Sequence, residues 1–197
     1  LTVDVGGTFD ASGATIDMNS SSRLELAGTV SNLGTLDAAE GTVEYDGGTQ
    51  DVLADAYYNL EIDESGVKTS LGTVSAAGTL TVGSGATYAI AATTTTVSGN
   101  SDINGAFTAS TGEYDADGAF DATGGSITFS GAGELRVSGA VTSLGTLGTS
   151  AGSIEYDGGT QNVLADAYYN LEIAESGVKT AQGTVTAAGT LTVGSGA

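Results

Sequence analysis

The side chains that could do chemistry in this chain are nearly all carboxylates. Asp and Glu number 24 against four bases, Arg23, Lys68, Arg136 and Lys179, and the net charge is −20. There is no His and no Cys. The commonest general base is therefore missing, and so are the commonest transition-metal ligand, thiolate metal sites and disulfides. What carboxylates can do by themselves is bind hard cations or, in flanking pairs, hydrolyse glycosidic bonds. The densest acidic stretch is Asp115-Ala116-Asp117-Gly118-Ala119-Phe120-Asp121. Its Asp-x-Asp-Gly core is a fragment of calcium-loop spacing, which makes Asp115, Asp117 and Asp121 the candidate ligands and calcium the candidate ion. The matching stretch Asp4–Asp10 lacks the central carboxylate. Asn100–Gly105 also echoes the start of an EF-hand loop, but its twelfth place is Thr111. A turn between strands is the commoner use of either sequence.

Other candidates are weaker. Tyr57 and Tyr168, beside Asn59 and Asn170, are expected outward, where a ring could stack on a sugar. The plainer reading is an aromatic covering the sheet. Lys68 and Lys179 with the same asparagines suggest an intramolecular Lys–Asn cross-link, and the plainer reading is one exposed lysine per unit. Thr93-Thr94-Thr95-Thr96 raises ice binding, against which the Thr positions keep no single register. Four bases cannot make a basic patch, which argues against nucleic acid, anionic membrane surfaces and lyase chemistry on acidic polysaccharides.

Whatever carries these residues is repetitive. Gly41–Ala86 returns nearly letter for letter as Gly152–Ala197, an offset of 111 without gaps. Fainter echoes reach further back, as in Phe9-Asp10-Ala11 and Phe120-Asp121-Ala122. The chain reads as a first unit, 1–111, and a partial second, 112–197, continuous with it. Apolar and polar residues alternate in short bursts. Leu24 and Leu26 flank Glu25, Leu36 and Ala38 flank Asp37, Val43 and Tyr45 flank Glu44, and Tyr58, Leu60 and Ile62 flank Asn59 and Glu61. This period of two predicts strands with one buried face. The bursts recur every seven or eight residues between Gly, Ser, Asn and Asp. Gly numbers 32, and Pro is absent. The expected fold is all-β: a parallel β-solenoid with about three short strands and about 22 residues per coil, five coils to the unit. A lone coil orders too much backbone for the apolar surface it buries, so coils must stack. Stacked outward carboxylates would lie about 4.8 Å apart, a setting in which divalent cations would stiffen the rod.

Three segments of the first copy carry a resemblance: Thr42-Val43-Glu44-Tyr45-Asp46-Gly47-Gly48-Thr49-Gln50-Asp51-Val52, then Tyr57-Tyr58-Asn59-Leu60-Glu61-Ile62, then Gly78-Thr79-Leu80-Thr81-Val82. They resemble repeats of large secreted bacterial surface proteins, the filamentous-haemagglutinin-like and autotransporter-associated β-helical adhesins. The resemblance implies an extracellular or cell-surface stalk or filament and no enzyme. Its partners would be neighbouring repeats or copies of itself end to end. A glycan- or divalent-cation-binding solenoid is the alternative, and an ice-binding one the third. No apolar run is long enough to span a membrane as a helix. Neither end reads as a natural terminus, which suggests a segment of a longer protein.

Overall fold

The computed structural model describes residues 1–37 and 39–197; Ala38, read above as the inward partner of Leu36, lies outside the described residues. The described chain contains 30 strands, all its strand pairings are parallel, and it winds into a β-solenoid of about ten turns. In the three large sheets every third strand stacks on the same wall, and four further strand pairs stand apart from them. The first wall carries Thr2–Val3, Arg23–Leu26, Thr42–Tyr45, Asn59–Ile62, Leu80–Val82, Ser101–Ile103, Phe120–Asp121 and Val141–Ser143. The second carries Gln50–Val52, Gly66–Ser70, Ala86–Ile90, Ala106–Ala109, Ser126–Phe129 and Thr146–Leu147. The third carries Ala56–Tyr57, Val74–Ala76, Thr94–Val97, Glu113–Ala116, Glu134–Val137, Ser153–Tyr156, Asn170–Ile173 and Leu191–Val193. The ladder passes through the unit boundary without interruption, since Glu113–Ala116 pairs with Thr94–Val97 on one side and Glu134–Val137 on the other.

Stacking puts like on like. On the first wall Leu24, Val43, Leu60 and Leu80 form one inward column. On the third, Tyr57, Ala76, Val97, Ala116 and Val137 form another. These side chains have at most 2% of their surface exposed. The core is thus a continuous apolar thread, and each layer is covered by the next.

Two expectations need correction. Partners one coil apart are separated by 17 residues at Val43 and Leu60, 19 at Leu24 and Val43 and 20 at Leu60 and Leu80, so the coil averages nearer 20 residues than 22. The short coil is closed by turns that glycine makes possible. At the corner between third and first walls, Gly78, Gly99, Gly118 and Gly139 stack. A Cβ on any of the last three would strike the carbonyl oxygen of the glycine one coil earlier. The second correction concerns the unit. Thr42–Tyr45 is the seventh strand and lies on the first wall, while its copy Ser153–Tyr156 is the twenty-fourth and lies on the third. A unit is therefore seventeen strands, five and two-thirds coils rather than five.

Candidate functional site: interior locks and acidic ladders

The residues that make the repeat recognisable point inward. Gln50 opens a strand at the corner between first and second walls. Its Nε2 donates to the carbonyls of Leu26 (2.5 Å) and Gly28 (2.6 Å) one coil earlier, and its Oε1 accepts from Gly47 N at 3.1 Å. The side chain thus bridges two successive turns. Tyr45 and Tyr57 meet edge to face across the interior with hydroxyls 3.0 Å apart. Tyr57 Oη donates to Leu53 O, and Leu53 N donates to Tyr45 Oη. Burying tyrosine is tolerable when its hydroxyl finds such partners. The same logic pairs Tyr88 with Thr95 at 2.8 Å and Tyr114 with Ser101 at 2.9 Å.

This overturns the outward placement of Tyr57 and Tyr168. They retain 2% and 1% of their surface, and no sugar can stack on either ring. The reason is the corner at Tyr58. Ala56–Tyr57 belongs to the third wall and Asn59–Ile62 to the first, so the alternation read through Tyr58, Leu60 and Ile62 restarts between them. Tyr58, expected inward, is 36% exposed.

Lys68 is corrected likewise. It was expected on the surface, yet it has no accessible area. In its column it stands between Gln50 and Tyr88. Its Nζ donates to the carbonyls of Asp63 and, at 2.7 Å, Glu64. Glu64 adopts φ 55°, and the ammonium gathers the carbonyls that this left-handed turn directs inward. Burial pushes the Lys68 pKa down, while Asp63, Glu64 and Asp46 pull it up. Asn59 is engaged elsewhere, its Oδ1 accepting from Thr79 N and Oγ1. The lysine and asparagine proposed to cross-link therefore have separate partners. An inward lysine was hidden because it sits where a hydrophobic residue is expected; the identical Gly-Val-Lys-Thr in both copies was the available hint.

The calcium candidates do not gather. Asp115 is on the third wall beside Arg136, Asp117 is exposed in the following turn, and Asp121 is on the first wall. Asp121 Oδ1 closes a small turn by accepting from Thr123 N and Oγ1 at 2.9 and 2.6 Å. The echo of an EF-hand at Asn100 contains the strand Ser101–Ile103. Thr93–Thr96 also divides, with Thr95 wholly inside and its neighbours partly exposed.

Among the described residues, the carboxylates whose oxygens lie within 4.8 Å of one another are Glu44, Glu61 and Asp63, a set the sequence reading missed. They come together because Glu25, Glu44 and Glu61 stack outward in one column. A guanidinium already occupies the middle: Arg23 Nη2 lies 2.8 Å from Glu44 and 2.9 Å from Glu61. In the second copy Asp63 is replaced by Ala174, and Arg136 reaches Glu155 (2.9 Å), Asp157 (3.0 Å) and Glu113 (3.3 Å). Burial still pushes the carboxyls of Glu44 and Glu155 up, with the arginines pulling the other way. The two arginines occupy different positions of the repeat but serve the same glutamate. Each partly neutralises a stack of like charge.

A concavity of about 730 Å³ lies at the last coil, lined by Leu171, Ile173, Val178, Val185, Leu191 and Val193 among others. Leu80 and Val82, the first-copy counterparts of Leu191 and Val193, are buried beneath Ser101–Ile103. The concavity is thus lined by residues whose first-copy counterparts lie in the core. No protein-family profile, curated protein or solved structure matches the chain.

Proposed function

We propose that the chain is a structural segment of an extracellular bacterial surface protein, a rod serving as stalk or filament for adhesion. One observation carries this reading. The distinctive polar residues of the repeat, Tyr45, Gln50, Tyr57 and Lys68, spend their hydrogen bonds inside the rod, tying strand to turn and coil to coil. A motif kept for ligand recognition would direct such groups outward. The acidic exterior opposes lateral clumping of neighbouring rods, and the third wall's backbone ladder, continuous from Ala56–Tyr57 to Leu191–Val193, suits load and resistance to proteases. Antibodies raised to this chain should label fibres projecting from the surface of the source bacterium in immunogold electron microscopy. Label confined to the cytosol would overturn the proposal.

A further inference from the structure

Two copies of one sequence sit on different walls of the same rod. In the first copy the strands Thr42–Tyr45, Asn59–Ile62 and Leu80–Val82 stack on the first wall. In the second their counterparts Ser153–Tyr156, Asn170–Ile173 and Leu191–Val193 stack on the third. The interior locks turn with them. Gln50 grips Leu26 O and Gly28 O at the corner between first and second walls. Gln161 grips Val137 O and Gly139 O, at 2.8 and 2.7 Å, at the corner between third and first. Tyr156 and Tyr168 repeat the hydroxyl pair at 3.1 Å, and Lys179 Nζ again donates to the carbonyls of the turn before it, Ala174 at 2.6 Å and Glu175 at 3.4 Å. The first and third walls are therefore interchangeable starting points for this cassette, because each lock closes on its own coil and the one before it.

We infer that the repeat displays its surface on a threefold screw. Each unit advances five and two-thirds coils, one-third of a turn short of six. With about 4.8 Å between neighbouring strands, successive units present the same outward residues about 27 Å further along and 120° around the axis. Three units in tandem would span about 82 Å before a wall repeats. A 22-residue coil would have kept every copy on one side; the shorter coil distributes it around the rod. The shared patch is the corner Ala54-Asp55-Ala56, repeated as Ala165-Asp166-Ala167 within the identical Leu-Ala-Asp-Ala-Tyr-Tyr-Asn-Leu-Glu-Ile. In the first copy it precedes Asn59–Ile62 of the first wall by one strand; in the second it precedes Asn170–Ile173 of the third wall by one strand. The same corner therefore faces two directions on one rod. The display holds wherever the protein resides.

The probe is an antibody Fab selected on the folded chain for binding that depends on Asp55, added in excess to the whole chain and imaged by negative-stain electron microscopy. Two Fabs per rod are expected, about 120° apart in end-on views. Asp55→Arg and Asp166→Arg should each remove one Fab and leave the other, which assigns them. Two Fabs superposed in end-on views would overturn the screw. Binding of one Fab or none to the unaltered chain would equally do so, since the two corners would then not be presented alike.

Discussion

At the scale of single residues, the inward polar side chains set this rod apart from a plain apolar stack. Lys68→Met should lower stability by about 1–3 kcal/mol, the cost of leaving buried carbonyls without their donor. Lys179→Met should cost less, because Lys179 is only half-buried. Thermal melts of the two variants give the comparison, and equal losses would contradict the role assigned to burial. The tyrosines make a second test. Burial pushes the Tyr45 and Tyr88 hydroxyls up to about 12, against 10.0 ordinarily. Burial also raises Tyr57 and Tyr114. Their folded values lie above the unfolded one, so the stability they contribute is complete below pH 10 and is lost as pH climbs towards 12 and beyond. In an alkaline titration their tyrosinate absorbance should appear only with loss of the strand circular dichroism. Ionisation of these four tyrosines near pH 10 with the fold intact would refute the buried network.

At the scale of strands and corners, close approach of coils decides which residues are allowed. Gly118→Ala should destabilise by about 1–3 kcal/mol, since its methyl would meet the Gly99 carbonyl in a backbone already packed. Gly48→Ala, with nothing near its would-be methyl, should be neutral or gain about 0.4–1 kcal/mol through the unfolded chain. Chemical denaturation of both separates corner packing from glycine flexibility. Strand stacking also lines up charge. Glu25, Glu44 and Glu61 form a column that one arginine only partly neutralises. Calcium added at low salt should raise the melting temperature, and a chelator should reverse the gain. No change on chelation would remove divalent ions from the account of this surface.

At the scale of the whole molecule, the net charge of −20 and the burial of acidic side chains act in the same direction. Burial raises the carboxyls of Glu44, Glu134 and Glu155 above the ordinary 4.5. A raised value in the folded state favours the protonated form there. The resulting stability is complete below pH 4.5 and fades as pH rises through the raised values. The rod should therefore melt higher near pH 5 than at pH 7.5, by about 2–4 °C for each kcal/mol recovered in a chain of this size. A lower melting temperature at pH 5 would show that ion pairs with Arg23 and Arg136 outweigh desolvation.

The sequence by itself determined that the chain is a repetitive, parallel β-solenoid. Alternation in Arg23–Leu26, Thr42–Tyr45 and Leu80–Val82 demands half-buried strands, and a gapless 111-residue repeat demands an array. Leu71, replaced by Gln182 in the second copy, was legible as a surface position and is 56% exposed. Only the tertiary structure decided where each corner falls, and so which way Tyr57, Tyr58 and Lys68 face. A period of two carries no mark of the residue at which it restarts. The tertiary structure also decided that a unit turns through five and two-thirds coils. That fraction depends on how few residues each corner uses, and corners so short are admitted only by glycine contacts between residues some twenty positions apart.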